Sequence, residues 1–338
     1  MEIKVLGRKE LMQVLEMDKV IQGVESAYIA KAQGQAVVWP LVAHSFKKQG
    51  GIMDIRSGGV FGSEMVHGAK MLNNFPNNKE HGLPAFSGML MVFDSNTGLP
   101  LGVMDASYIT CMRTGAAGAI GARTFARPES KTLFILGAGN QAAYQIAASI
   151  IAMPNISKVY VADPLAPENA HRFADVLPSR LMSEFGIDAS GVSFDAADDM
   201  PTAVGDSDIV ITITPARSPV IKSEWVKPGT HFSCIGADME GKEEIDPRIF
   251  VGARVFADDI DQCVRVGEME LPIKGGIFGR SLIAGEIGQV LDGKVSGRKS
   301  NDEITIYDAT GLALLDLVTA KRAIELAKEK GIGQTVEL

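Results

Sequence analysis

Cysteine is scarce: Cys111, Cys234 and Cys263 stand alone in 338 residues, with no C-x-x-C pair. No disulfide framework and no zinc knuckle can be assembled from them, which points to a reducing cytoplasm. Excess positive charge is also missing. Thirty-three Lys and Arg against 41 Asp and Glu give a net charge of −8, and the basic residues are scattered. That distribution argues against nucleic acid and against an anionic membrane surface. The first residues, MEIKVLGRKELMQ, lack the apolar core of a signal peptide. The longest apolar tract, Thr132 to Met153, is broken by Gly-Ala-Gly-Asn-Gln and again by Gln145, so it reads as two buried elements joined by a turn. His44, His67, His81, His171 and His231 show no metal-ligand spacing, and no metal is expected. There is no internal repeat and no low-complexity segment.

What is present centres on Lys131 to Asp163, which reads strand, tight turn, helix, strand. Gly137-Ala138-Gly139-Asn140-Gln141-Ala142 fits G-x-G-x-x-G/A directly after an apolar run. The first glycine permits the turn, the second lets backbone approach a pyrophosphate, and Ala142 is small enough for close helix–strand packing. Amide groups at the helix start would hold the phosphates. Asp163 ends the second strand, where a carboxylate can accept from both ribose hydroxyls of NAD and would repel the 2′-phosphate of NADP.

Around this stretch the chain divides in two. Arg8–Met17 and Asp18–Gln33 carry apolar residues at helical spacing. From Ala36 to Asp105 short runs split by Gly, Pro and Asn read as an antiparallel sheet, with Ser95-Asn96-Thr97-Gly98 as a hairpin turn. Few helices are available to cover both faces of this sheet, and an uncovered apolar face predicts a homodimer. A long small-residue helix, Ala106–Ala126, leads to a linker at Arg127-Pro128-Glu129-Ser130. Strands at 192–194, 208–214, 230–236, 253–257 and 303–308 then alternate with helices, the signature of a doubly wound parallel sheet. The expected class is therefore α/β. Residues 129–311 form a Rossmann-type dinucleotide-binding domain inserted into an α+β domain of residues 1–128 and 312–338. Ligands sit beyond the carboxyl ends of strands in such sheets, where Thr212-Ile213-Thr214, Ile235-Gly236-Ala237-Asp238 and Asp308 to Gly311 fall.

These pieces resemble the ornithine cyclodeaminase/μ-crystallin family along essentially the whole chain. The resemblance is carried by Gly68-Ala69-Lys70, Phe75-Pro76-Asn77-Asn78, Asp94 to Gly98, Ile109 to Ala116 (ITCMRTGA), Gly137 to Ala142, Asp208 to Thr214, Gly236 to Glu243 (GADMEGKE), Gly267-Glu268 and Asp308 to Asp316. It implies an NAD(P)-binding domain inserted into a dimerising substrate domain, and chemistry on 2-amino or 2-imino acids; Asp163 points to NAD as the cofactor. It implies that Lys70 and Arg113 face the substrate carboxylate, and that Asp238 pairs with the amine or iminium and passes it a proton. Cofactor contacts are implied for Gly137, Ala138, Gly139, Asn140, Gln141, Asp163, Thr114, Thr212, Thr214 and Gly236.

The sequence departs from the cyclodeaminase pattern in one place. The expected Pro-Arg pair is Pro40-Leu41, and the later Met-Pro-Ala stretch is Asp54-Ile55-Arg56-Ser57-Gly58-Gly59. The cyclodeaminase glutamate has no counterpart in register, although Asp54 and Glu64 lie nearby. Arg56 would supply the missing cation from another strand position, an arrangement that resembles open-chain imino acid reductases. The expected function is NAD-dependent reduction of a small 2-imino acid. The alternatives are ornithine cyclodeamination and a non-catalytic, crystallin-like binding role.

Overall fold

The computed structural model describes all residues 1–338. It comprises two compact units, Met1–Arg113 with Leu312–Leu338, and Thr114–Gly311. The division falls inside the helix Ala106–Phe125, earlier than the linker at residues 127–130. No helix is long and apolar enough to cross a membrane.

The first unit is built on an eight-stranded sheet. Its order is Gln334–Glu337, Glu2–Leu6, Pro100–Asp105, Phe86–Asp94, Val66–Asn74, Gly51–Val60 and Ala36–Val38, with Val42–Phe46 also on Gly51–Val60. The pairings from Ala36 to Asp105 are antiparallel, as the short interrupted runs predict. Two strands that the sequence does not announce make the sheet mixed: Glu2–Leu6 pairs parallel with Pro100–Asp105 and antiparallel with Gln334–Glu337.

On one face of this sheet lie the helices Met17–Ala32 and Ala313–Lys330, which bury Val20, Ile21, Val24, Leu314, Leu317 and Val318. Glycines in the strands admit the return helix at close range. A Cβ on Gly58 would meet Leu314 Cδ2 at 3.3 Å, one on Gly68 would meet Leu317 Cδ2 at 2.9 Å, and one on Gly102 would meet Ile324 Cδ1 at 2.9 Å. The other face is apolar and exposed: Val42, Met71, Met89 and Met91 are all open, and Val42–Ile55–Met71–Met89 run side by side across four strands.

The second unit holds an all-parallel sheet in the order Ser193–Ala196, Lys158–Ala162, Thr132–Leu136, Ile209–Thr212, His231–Cys234, Thr305–Asp308, Arg254–Ala257 and Ile283–Glu286. Its central strands are buried on both faces, so Leu133 to Leu136 and Ile209 to Ile211 form unbroken apolar runs. The strand order reverses between Thr132–Leu136 and Ile209–Thr212, which is the switch point. A small parallel pair, Arg217–Ile221 with Glu243–Ile245, stands outside the main sheet. The small residues of Ala106–Phe125 are there because nothing larger fits. A Cβ on Gly115 would lie 2.5 Å from the Tyr144 carbonyl oxygen, and one on Gly121 would lie 2.2 Å from Tyr307 Cδ1.

Candidate functional site

In the first unit, Lys70 and Arg56 lie opposite each other in register on adjacent strands and point to the helix-covered face. Lys70 is 1% exposed, and its ammonium donates to Asp316 Oδ2 at 2.7 Å and to Thr110 Oγ1 at 3.3 Å. Arg113 Nε donates to Asp316 Oδ1 at 3.0 Å. Asp316, fully buried in the first turn of the return helix, therefore bridges two cations that are far apart in sequence. Arg113 is placed by the helix that starts at Ala106, where Asp105 caps the Tyr108 amide at 2.7 Å. Arg56 Nε reaches Asp54 Oδ2 at 3.4 Å, long for a charge-assisted bond, and Asp54 Oδ1 is buried with no partner.

The electrostatics follow from burial. Desolvation lowers the pKa of Lys70 from 10.5 to about 7; Arg113 and Arg56 push the same way, and Asp316 opposes them. For Asp316, burial works against the charge, but Arg113 and Lys70 outweigh it and hold the carboxyl below the ordinary range. Lys70, Arg113 and Arg56 thus gather about the carboxylates of Asp316 and Asp54.

In the second unit, Gly137 takes φ +114 and its amide donates to the Ala162 carbonyl at 2.8 Å, turning the chain from strand to helix. A Cβ on Gly139 would meet nothing within 4 Å, so backbone there faces open space. Ala142 opens the helix, fully buried, and Ala138, Asn140 and Gln141 lie between the second glycine's strand side and the helix start. Gln141 Oε1 is buried without a partner. Asp163 follows the strand Lys158–Ala162 and accepts from the Ala166 amide at 3.2 Å and from Asn169 Nδ2 at 3.3 Å. This turn, its helix N-terminus and the terminal carboxylate fit a dinucleotide: open backbone for phosphate and an acceptor for ribose.

Thr212 ends the strand beside the switch point and is buried; the Thr214 methyl stands 3.1 Å from where a Gly137 Cβ would be. The buried Thr114 carbonyl accepts from Gln145 Nε2 at 2.9 Å. Gly236 follows the strand His231–Cys234, and Asp238 two residues on is paired with Lys242 at 2.6 Å.

Sequence reasoning passed over Asp316 and Glu244. Asp316 carries a visible signal, a lone acid inside Ala313-Leu314-Leu315-Asp316-Leu317-Val318. Glu244 accepts from the Thr214 amide at 2.6 Å, Thr214 Oγ1 at 2.8 Å and the Gly236 amide at 3.1 Å. The histidines are placed elsewhere. His44 is exposed and edge-on to Phe46, and His231 is buried between Thr305 and Ser233. No group of His, Cys, Asp or Glu is arranged to hold a metal ion. All three cysteines are free and buried.

Comparison with known proteins covers the full length of the chain. A model described as the ornithine cyclodeaminase/mu-crystallin family matches residues 1–331. An alanine dehydrogenase from Archaeoglobus fulgidus is 35% identical over 337 residues, covering 100% of this chain and 99% of its own. An iminosuccinate reductase from Paracoccus denitrificans is 31% identical over 334 residues, covering 99% of each. Among solved structures, an archaeal alanine dehydrogenase dimer with bound NAD superposes with a TM-score of 0.91 at 34% identity, covering 100% of both chains.

Proposed function

Because the chain belongs to the ornithine cyclodeaminase/mu-crystallin family, we propose that it is an NAD-dependent oxidoreductase that reduces a small 2-imino acid to the 2-amino acid. The observation that carries this reading is the buried Lys70–Asp316–Arg113 cluster with Arg56 in register beside Lys70. Two buried cations on one carboxylate leave charge to spare for a substrate carboxylate, and desolvation strengthens that attraction.

Arg113 and Lys70 hold the substrate's C1 carboxylate, and Thr110 fixes the lysine's direction. With a pKa of about 7, Lys70 can also exchange a proton with the substrate nitrogen near neutral pH. Asp238 balances the iminium charge; its partner Lys242 holds it until a cationic nitrogen competes. The cofactor, when bound, supplies the hydride that reaches C2. Gly137 to Gln141 take the pyrophosphate, Asp163 the ribose hydroxyls, and Thr114, Thr212, Thr214 and Gly236 line the remainder. A dimer closed over the exposed apolar sheet face of the first unit is the expected assembly; the archaeal alanine dehydrogenase is itself a dimer.

One observation favours a second reading, ornithine cyclodeamination. Asp54 Oδ1 is unpartnered on the face that carries Arg56, and a carboxylate there could receive a distal ammonium. A panel of 2-oxo acids with ammonia or methylamine and NADH, run beside ornithine with NAD and read by absorbance and product mass, separates the two. NADH consumption with an open-chain 2-oxo acid supports the reductase. Proline from ornithine with no net NADH change supports the alternative.

A further inference from the structure

Buried acids are costly, and the second unit holds a connected set that substrate chemistry does not use. Glu244, Glu268 and Asp308 are all fully buried. They form a relay through backbone amides. Asp308 Oδ2 accepts from the Met269 amide at 2.9 Å. Glu268 Oε1, next in line, accepts from the amides of Glu244 and Ile245, both at 2.7 Å. Glu244 then accepts from Thr214 twice and from Gly236 once. The relay ends on the two turns that follow the strands Ile209–Thr212 and His231–Cys234, at the carboxyl edge beside the switch point.

The fit at that end is tight. A Cβ on Gly236 would lie 2.3 Å from Glu244 Oε2 and 2.5 Å from the Thr214 carbonyl oxygen. Only glycine lets the two turns close on the carboxylate. Lys242 braces the same loop from outside, donating to the Gly236 carbonyl at 3.1 Å and to Asp238 at 2.6 Å. Thr214 in turn touches the space above Gly137, the first glycine of the dinucleotide turn. A hydroxyl, a backbone amide and a second backbone amide from a separate loop all converge on one side chain. Such a side chain fixes the spacing of both loops.

We propose that Glu244 is a positioning residue whose carboxylate ties the Thr214 turn to the Gly236 turn, setting the wall of the dinucleotide site and the placement of Asp238. The proposal rests on the reading of the unit as an NAD site. Burial raises the Glu244 carboxyl to about 7, while the Thr214 bonds favour its charge. Burial and the neighbouring Glu244 charge raise Glu268 well above the ordinary range, and its Oε2 has no partner. Of the three acids Glu244 has the donors from both turns, and the Thr214 bonds are the ones that favour its charge.

Glu244→Gln keeps the shape and one acceptor oxygen, which can hold both Thr214 donors, but sets an amide NH₂ against the Gly236 N–H. Three readouts are taken on the full chain: NADH dissociation constant by fluorescence, kcat against KM for the best imino acid, and hydrogen exchange of residues 236–240. The expected result is an NADH constant weakened by roughly tenfold, a comparable fall in kcat, an unchanged imino acid KM and faster exchange at 236–240. A purely structural glutamate would lower the melting temperature and leave the constants of the folded protein at wild-type values; that outcome overturns the proposal. If wild-type protein binds no NADH, the NAD reading falls, and the exchange measurement still decides whether Glu244 holds the loop. If Glu244→Gln does not fold, Thr214→Val removes one of the three bonds, and an unchanged NADH constant and kcat in that variant overturns the proposal.

Discussion

Asp316→Asn removes the one carboxylate that touches both Lys70 and Arg113. Each lost charge-assisted bond is worth roughly 1.5–3 kcal/mol, and asparagine's remaining oxygen can serve one donor, so the expected loss of stability is about 3 kcal/mol. Part of that loss depends on pH. Lys70 titrates at 10.5 when unfolded and at about 7 when folded. The folded protein therefore binds fewer protons than the unfolded chain between those values, and the lysine's contribution to stability rises with pH across that window.

Without Asp316, burial, Arg113 and Arg56 act on Lys70 unopposed, and its folded pKa drops below 7. The added penalty for a charged lysine is then complete at acid pH, declines as pH rises and is absent once both proteins hold a neutral lysine, above about 7. Thermal unfolding at pH 6 and pH 8.5 should show a larger deficit, variant against wild type, at pH 6; the residue left at pH 8.5 reports the lost partner of Arg113. In turnover, the basic limb of the kcat/KM profile for imino acid reduction should move to lower pH. Equal melting deficits at the two pH values, with an unshifted profile, would refute the electrostatic account of the cluster.

Arg56→Ala should cost roughly 2–3 kcal/mol in kcat/KM, about 30- to 150-fold, and more for a dicarboxylate substrate than for a monocarboxylate of similar size. Arg56→Lys should recover only part of it, since lysine lacks the bidentate fork. NADH should be preferred to NADPH, and Asp163→Ser should narrow the kcat/KM ratio by about tenfold through relief of one charge repulsion; a wild-type ratio favouring NADPH would contradict the role given to Asp163. Light scattering should report a dimer, and Met89→Glu, at the most exposed position of the apolar stripe, should give a monomeric mass.

The dinucleotide turn was legible because its chemistry is local: six consecutive residues and a strand on either side decide it. Lys70 and Arg113 were legible as cations by their place in ordered blocks, and Arg56 by a departure from the pattern, but the common partner of Lys70 and Arg113 was not. Asp316 lies 246 residues from Lys70, and no local pattern pairs them. Strand Gly51–Val60 runs through Gly58-Gly59, a pair that in a sequence ordinarily marks a break between runs. Those glycines continue the strand: a Gly58 Cβ would lie 2.5 Å from the Val37 carbonyl oxygen, so the sheet itself excludes a side chain. The strand Glu2–Leu6 was missed for a related reason, since its partners come from residues 100–105 and 334–337. Glu244 escaped because its purpose lies in the backbone of two other loops.

The return of the helix Ala313–Lys330 to the first unit has a consequence for biosynthesis. Residues 114–311 are contiguous and can fold as soon as they leave the ribosome, since each strand of their sheet pairs within that span. The first unit cannot. Most of its strands emerge early, yet the helix that seats Leu314 and Leu317 on Gly58 and Gly68 is made only after residues 114–311. Until then Lys70 and Arg113 have no Asp316, and one sheet face lacks most of its cover. The nascent chain thus carries an unfinished, edge-exposed sheet through the synthesis of about two hundred further residues, the interval in which chaperone capture would matter most. The Lys70–Asp316–Arg113 cluster is in this sense a completion mark: it assembles only on a chain that has been translated past residue 316.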